Sequence, residues 1–390
     1  MPSFLAAIFL LLADLMAQPG NRPRARALGV PFEGTPGPNN AITDVPGVTV
    51  GLVSLVSGEG PLKVGEGPVR TGVTAILPRG RDSKDPVFAG WFPLNGNGEM
   101  TGTAWIDEGG YLEGPVFITN THSVGTVRDA SIAWAARQDR LFQPWALPVV
   151  AETYDGWLND INGFHVKAEH VFAVLDGART GPVPEGNTGG GTGMICYGFK
   201  CGTGTASRRL DERAGGYVVG VLVQANHGRR RDLRIAGVPV GVEIPEPPER
   251  RGSAARDPGA AATDTDVETG SIIGVIATDA PLLPHQLKRL ARRAALGLAR
   301  TGSVSGDGSG DIFLAFSTAN PGAATAPETA SVRMVSNRRI SALFEAVVQA
   351  TEEAIVNALV AAETMTGANG RRVEAIPHDR LRAALRKYGR

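Results

Sequence analysis

The stretch DVETGSIIGVIATDAP, residues 266–281, decides how the rest of the chain is read. A polar, loop-like run ends at Gly270, and Ser271 then opens an almost wholly apolar segment, Ile272 to Ala277. A short apolar run bounded by turn residues reads as a strand covered on both faces. What precedes it is the opposite. Residues 244–270, IPEPPERRGSAARDPGAAATDTDVETG, lack aromatics and hold only Ile244 and Val267 as large aliphatics. Such a segment cannot offset its ordering entropy by burial. A core strand therefore begins abruptly, on glycine and serine, behind a segment unfit to fold. Composition alone favours an interdomain linker there.

A second reading of the junction is chemical. A serine hydroxyl is a weak nucleophile until a base takes its proton. If the chain is cut before Ser271, the freed α-amine, whose ordinary pKa is about 7.7–8.0, becomes a local general base. The same hydroxyl can make the cut by attacking the Gly270 carbonyl, and glycine tolerates the backbone this needs. On pattern alone the linker reading stays ahead of this one.

Outward from the junction, the chain alternates short strands with a few long helices. GVTVGLVSLV (47–56), GVTAILP (72–78), PVFAGWF (86–92), PVFITN (115–120), PVVAETY (148–154), HVFAVLDG (170–177) and GYVVGVLVQAN (216–226) read as strands. A helix is expected in SVGTVRDASIAWAARQD (123–139), with Val127, Ile132 and Ala135 on its apolar side. A second is expected over 279–302, with Asp279 as N-cap, Pro281 in the first turn, a stripe of Leu283, Leu287, Leu290, Ala294 and Leu298, and Gly302 at its stop. A third runs over 337–367, with Ile340, Phe344, Val347, Thr351, Ile355 and Leu359 at helical spacing and Gly367 ending it. Together these point to a layered α/β sandwich.

Composition excludes several functions. The 390-residue chain carries 39 basic and 39 acidic residues, so it lacks the basic excess of a nucleic-acid binder. The N-terminal apolar core, Phe4 to Leu12, has signal-peptide length with Ala17 as a cleavage point, and it is too short to span a bilayer. Export is favoured over a cytoplasmic location, although no Lys or Arg precedes the core. The six histidines form no HExxH, and no GxSxG elbow is present. Two glycine-rich loops, EGNTGGGTG (185–193) and SGDGSGD (305–311), lack the P-loop GK[ST] and read as tight turns. Cys196 and Cys201 in CYGFKC read as two thiols in preference to a local disulfide.

Several motifs carry a resemblance to a known family. GVPFEGTPGPNNAITDVPGVTVG (29–51), PVVAETYDGWLND (148–160), VGVLVQANHG (219–228), ETGSIIGVIATDAPLLPHQLKRLARR (268–293) and GDGSGDIFLAFSTAN (306–320) are similar, in the same order, to the DmpA-type aminopeptidases. These are L-aminopeptidase/D-amino-acid esterase-amidases with β-aminopeptidase relatives, and the resemblance runs from about Leu28 to Leu381. It implies a four-layer αββα sandwich similar to N-terminal-nucleophile hydrolases. It implies self-cleavage between Gly270 and Ser271 into a larger chain, 18–270 with a flexible 244–270 tail, and a smaller one, 271–390, within one globular unit. No metal or organic cofactor is expected, and a homotetramer of processed units is.

The resemblance also assigns roles. Ser271 is the nucleophile, Ser309 and Asp311 orient its freed amine, Tyr154 sits by the nucleophile, and Asn226 helps hold the oxyanion. A carboxylate must greet the substrate's ammonium, and Glu152 is ranked first for this, Glu99 second. Glu152 stands two residues before Tyr154, so on a strand both would face one way. Trp145 occupies the position of a family tryptophan lining the substrate cleft. Asn97 and the backbone of NTHSVG (120–125) line the site on loop placement. Short peptides, amides and esters are the expected substrates. An acyltransferase resembling ornithine acetyltransferase and a non-catalytic exported binding protein are the competing readings.

Overall fold

The computed structural model describes residues 23–246 and 270–390; the export signal read at 1–17 and the tail residues 247–269 lie outside them. Two sheets form its centre. One has four strands in the order β1 (Thr49–Ser57), β2 (Val69–Leu77), β5 (Val116–Asn120) and β6 (Val149–Thr153). The other has six, in the order β4 (Tyr111–Leu112), β3 (Val87–Pro93), β12 (Ile312–Ser317), β11 (Ser271–Thr278), β10 (Val218–Asn226) and β9 (Thr203–Arg209). The pair β7 (Ile195–Cys196) and β8 (Phe199–Lys200) makes a separate small hairpin.

The strand β11 explains why its sequence shows no alternation. Every residue in it is buried. Ile273, Val275 and Ala277 join the core between the sheets, with Ile118, Ala151 and Leu314. Ile272 and Ile276 face the other way, into a core shared with Leu287, Leu290, Leu298 and Val347. Those last residues belong to α5 (Pro284–Arg300) and α6 (Ser341–Ala361), which cover the six-stranded sheet. The four-stranded sheet is covered by α2 (Val124–Arg137) and α3 (Ala168–Asp176), through Val127, Trp134, Val171 and Leu175 against Val73 and Phe117. The layers run helix, sheet, sheet, helix, so the expected αββα sandwich is what forms. Three shorter helices, α1 (Thr103–Gly109), α4 (Val240–Glu243) and α7 (His378–Lys387), sit at its margins. Each fully buried leucine of the α5 stripe contributes about 1.5–3 kcal/mol, which fixes the face that this otherwise arginine-rich helix turns inward.

The differences from the sequence reading are local. HVFAVLDG forms α3, not a strand, because Val171, Val174 and Leu175 meet the sheet at helical spacing and the His170 ring accepts the Lys167 N–H at 2.9 Å. The segment TGTASRR, which carries no strand signal, forms β9, buried from Thr203 to Arg208. In α2 the buried side is Val124, Val127, Ala130, Ser131 and Trp134, with Ile132 and Ala135 only half-buried. Helix α5 starts at Pro284, later than expected, since Asp279 accepts the Val218 N–H at 2.8 Å and caps nothing. Helix α6 stops at Ala361, short of Gly367. Cys196 and Cys201 are bonded to each other, contrary to the two-thiol reading. The β7–β8 hairpin brings their Cα atoms to 5.4 Å, within disulfide range.

This arrangement gathers chemistry at one end of the sandwich. Strands β11 and β12 run parallel, so their N-terminal ends, Ser271 and Ile312, lie at the same edge. The C-terminal ends of β3, β5, β6 and β10 come to that edge too: Pro93 pairs with Ile312, Asn226 pairs with Ser271, and Asn120 pairs with Thr153.

Candidate active site

Ser271 is the first residue of β11 and 6% exposed. Its Oγ accepts the Gly310 N–H at 3.0 Å. The preceding Gly270 has φ +113°, in the region open to glycine, and a Cβ there would lie 2.1 Å from the Asn226 carbonyl oxygen. Any side chain before Ser271 would thus collide with backbone. The glycine expected at the junction has a steric cause.

Behind the serine lies a polar cradle. Asp311, fully buried, accepts the Ser309 hydroxyl at 2.6 Å and the Ile272 N–H at 3.1 Å, both on Oδ1. Asn95 Nδ2 donates to the other carboxylate oxygen at 3.3 Å, and Asn95 Oδ1 accepts the Asp311 N–H. Asn97 clamps the same loop: its N–H donates to Ser309 O at 3.1 Å and its Nδ2 to Gly308 O at 3.0 Å. The loops 95–98 and 308–311 meet backbone to backbone. A Cβ on Gly310 would lie 2.5 Å from the Asn97 oxygen. Glycine at 310 is what lets its N–H reach Ser271.

Asn226 is 7% exposed. Its Oδ1 accepts the Ile195 N–H at 2.8 Å and its Nδ2 donates to Tyr154 O at 2.9 Å. An amide nitrogen carries two hydrogens, so a second donor remains. It lies by the junction, since a Cβ on Gly270 would be 3.5 Å from Nδ2.

Glu152 is 4% exposed at the C-terminal end of β6. Its Oε1 accepts the Glu99 N–H at 3.0 Å, and Thr121 donates its hydroxyl to Oε2. Burial raises its pKa, against the hydrogen bonds from Thr121 and the Glu99 N–H. Gly98 separates it from the nucleophile's loop: a Cβ on Gly98 would lie 2.9 Å from Gly310 Cα and 3.4 Å from Glu152 Oε1. Glu99 contributes its backbone here, while its side chain is exposed. Next along the chain, Asp155 is wholly buried, with Asn159 Nδ2 on its Oδ1 at 2.9 Å. Burial pushes its pKa up to about 7, against the hydrogen bonds from Thr71 and Asn159.

Eight of the residues singled out, Ser271, Ser309, Asp311, Asn226, Tyr154, Glu152, Asn97 and Gly270, thus meet at one edge, with the backbone of Glu99. Two details differ. Tyr154 lies beyond the end of β6 and is 53% exposed, so the alternation invoked for Glu152 and Tyr154 does not extend to it. Its ring folds over Gly156, whose Cβ would lie 2.3 Å from Oη; its carbonyl is the group bonded to Asn226. Trp145 is not in the cleft of its own chain. It is 58% exposed and lines an apolar pocket with Leu77, Val87, Leu112 and Trp134, at the opposite ends of β2, β3, β5 and β6. Most of β6 separates Trp145 from Glu152, which is next to the strand's last residue.

Sequence reasoning missed Asn95, Thr121, Asp155 and Gly310. Asn95 and Gly310 sit in loops already suspected, two residues from Asn97 and one from Ser309. Thr121 lies within the 120–125 stretch already suspected, where the backbone and not its hydroxyl was expected to act, and Asp155 carried no signal of its own.

A serine opening a core strand in an αββα sandwich, with amide donors and a carboxylate around it, defines a hydrolase of the N-terminal-nucleophile type. The chain belongs to peptidase family S58, whose model matches residues 40–373. It is 57% identical over 394 aligned residues to the beta-peptidyl aminopeptidase BapA of Sphingosinicella microcystinivorans, covering all of this chain and 97% of that one. It is 53% identical to the BapA of Sphingosinicella xenopeptidilytica, over 92% of this chain and 90% of the relative. Among solved structures, the L-aminopeptidase D-Ala-esterase/amidase of Ochrobactrum anthropi, described as a variant of the Ntn hydrolase fold, superposes with a TM-score of 0.85. It is 50% identical, with 95% of this chain and 99% of that chain covered.

Proposed function

We propose that the protein cuts its own backbone between Gly270 and Ser271 and then acts as an aminopeptidase, releasing N-terminal residues from short peptides, amides and esters. The observation that carries this is the junction: a glycine in a conformation that side chains rarely adopt, followed by a buried serine whose Oγ is held at 3.0 Å by Gly310 N–H. The activities for which its relatives are named, on β-peptides and on L-aminoacyl and D-Ala substrates, support the same substrate class.

In self-cleavage, Ser271 Oγ attacks the Gly270 carbonyl carbon, and the acyl group passes from nitrogen to oxygen. This shift breaks the peptide C–N bond and frees the Ser271 amine; water then hydrolyses the ester, releasing the Gly270 carboxylate and restoring the Ser271 hydroxyl. In turnover, that amine takes the Ser271 hydroxyl proton, and Ser309 with Asp311 fixes its orientation and proton affinity. The alkoxide attacks the substrate carbonyl. The second hydrogen of Asn226 Nδ2 stabilises the oxyanion, as preorganised donors do in acyl transfer. The leaving amine or alcohol departs with the proton, and water releases the acid from the acyl-enzyme. Glu152 receives the substrate's ammonium group, its carboxylate already aligned by Glu99 N–H and Thr121.

The processed units are read as forming a homotetramer, on the family resemblance. Export is read from the N-terminal apolar core, and the Cys196–Cys201 disulfide supports an oxidising compartment. The test of function is the Ser271→Ala variant. It should remain one chain and release no amine from an aminoacyl p-nitroanilide; cleavage or turnover at the wild-type rate would refute the assignment.

A further inference from the structure

Asn226 ends β10, and its side chain is not held by that strand. The β7–β8 hairpin and its flank hold it. Three consecutive residues dock there: Ala225 N–H donates to Gly202 O at 2.9 Å, Ile195 N–H donates to Asn226 Oδ1 at 2.8 Å, and Tyr197 N–H donates to His227 O at 2.7 Å. The middle bond settles which way the amide faces. With Oδ1 committed to Ile195, Nδ2 must point toward Tyr154 O and the Gly270–Ser271 junction.

The hairpin is short, and its tip and second strand are tied from outside: Arg230 donates from Nε to Tyr197 O at 2.7 Å and from Nη2 to Gly198 O at 2.6 Å, and Lys200 N–H donates to Glu374 O at 2.8 Å. Each of its strands is two residues long. Strands that short are not stable alone. The hairpin's base is closed by the Cys201 N–H, which donates to Met194 O at 3.1 Å, and by two side-chain devices. Lys200 Nζ, fully buried, donates to Met194 O at 2.8 Å and to Cys201 O at 2.6 Å, tying the two ends together. The Cys196–Cys201 bridge spans the same turn, with both residues wholly buried. Nothing in the reaction uses this sulfur pair. Its cysteines lie one residue from Ile195 and one from Gly202, the two backbone groups that bracket Asn226.

We propose that the Cys196–Cys201 disulfide is a positioning element for catalysis: it keeps Ile195 N–H on Asn226 Oδ1 and so holds the Nδ2 donor toward the reacting carbonyl. The proposal rests on the reading of Asn226 as an oxyanion donor, and the test separates the two. Without the bridge the hairpin loosens, the amide rotates, and the donor is lost for part of the time. The effect falls on kcat, since the oxyanion exists only in the transition state, while ammonium binding at Glu152 is untouched.

The experiment is a double-mutant cycle on the matured full chain: wild type, Cys196→Ala/Cys201→Ala, Asn226→Ala, and the triple variant, each assayed for kcat and KM on an aminoacyl p-nitroanilide. Asn226→Ala should lower kcat by about 10²–10³-fold. The bridge-less enzyme should lose roughly tenfold in kcat with KM within about twofold, because misplacing a catalytic group costs less than deleting it. In the Asn226→Ala background, loss of the bridge should cost nothing more. Where Asn226→Ala matures too slowly to assay, Asn226→Ser replaces it. Where the double cysteine variant does not fold, the bridge is reduced with a phosphine in matured protein and the thiols capped, and the same cycle is run. Unchanged kcat without the bridge overturns the proposal while leaving Asn226 in place, as does an equal further loss in the Asn226→Ala background. Wild-type kcat in Asn226→Ala removes the donor reading, and the proposal with it.

Discussion

Replacing Glu152 by glutamine isolates the group that makes this hydrolase an aminopeptidase. The change is nearly isosteric. The new side chain would still accept the Glu99 N–H, and its amide can donate to the Thr121 oxygen, so a group only 4% exposed keeps its place. What disappears is a buried negative charge. A charge-assisted hydrogen bond contributes about 1.5–3 kcal/mol, and leaving a buried charge without its partner costs about 2–5 kcal/mol. The substrate ammonium would lose about 2–4 kcal/mol, which is a fall in kcat/KM of roughly 30-fold to 1000-fold. The assay is kcat/KM for an aminoacyl p-nitroanilide and for its N-acetyl form. The free-amine substrate should suffer and the acetylated one should not, so discrimination between them collapses. There is a pH signature as well. Burial raises the Glu152 pKa, and only the ionised form pairs with ammonium, so wild-type kcat/KM falls as pH drops through that raised value. That acid limb should be absent in Glu152→Gln. A variant with kcat/KM within about threefold of wild type on the free amine would refute the role.

Three further outcomes follow from the same geometry. Gly270→Ala should block or greatly slow maturation, read by gel, because its Cβ would lie 2.1 Å from the Asn226 oxygen; wild-type maturation would show the junction tolerates a side chain. Asp311→Asn should slow both self-cleavage and turnover by about 10–100-fold, since the carboxylate that accepts Ser309 and Ile272 loses its charge; normal rates in both steps would remove it from the site. Asp155, with its pKa raised to about 7, binds a proton in the folded state that the unfolded chain has already lost above about pH 4. Its cost to folding therefore grows as pH rises from there and levels off above about 7, at up to about 4 kcal/mol. Relative to Asp155→Asn, wild type should lose denaturation midpoint between about pH 4 and 7; a pH-independent difference would contradict this.

How much of this was legible depends on what each residue's neighbours had to supply. The strand β11 was legible because burial on both faces leaves a continuous apolar run. The run at 170–177 was misread because a short apolar stretch fits helix and strand alike until a sheet is placed beneath it. β9 was missed because its run from Thr203 to Ser207 is small and holds no large apolar side chain, yet Thr205 and Ser207 find partners in Val221 O and Asp44 that only the tertiary fold provides. Within the site, the glycine–serine junction could be argued from chemistry. Asn226 and Asp311 could not: their roles follow from strand ends brought together across the sheet, and the resemblance supplied them. Trp145 shows the limit of such a transfer, since its place in the chain gave no notice that β6 would set it at the far end.

The central claim is that a backbone scission makes the catalytic amine. The direct measurement is the intact mass of purified, fully active protein under denaturing, non-reducing conditions. The account predicts two species, one of them 271–390 with Ser271 at its N-terminus, and no covalent link between them, because both cysteines lie in the larger chain. Full activity in a single unbroken polypeptide would contradict it.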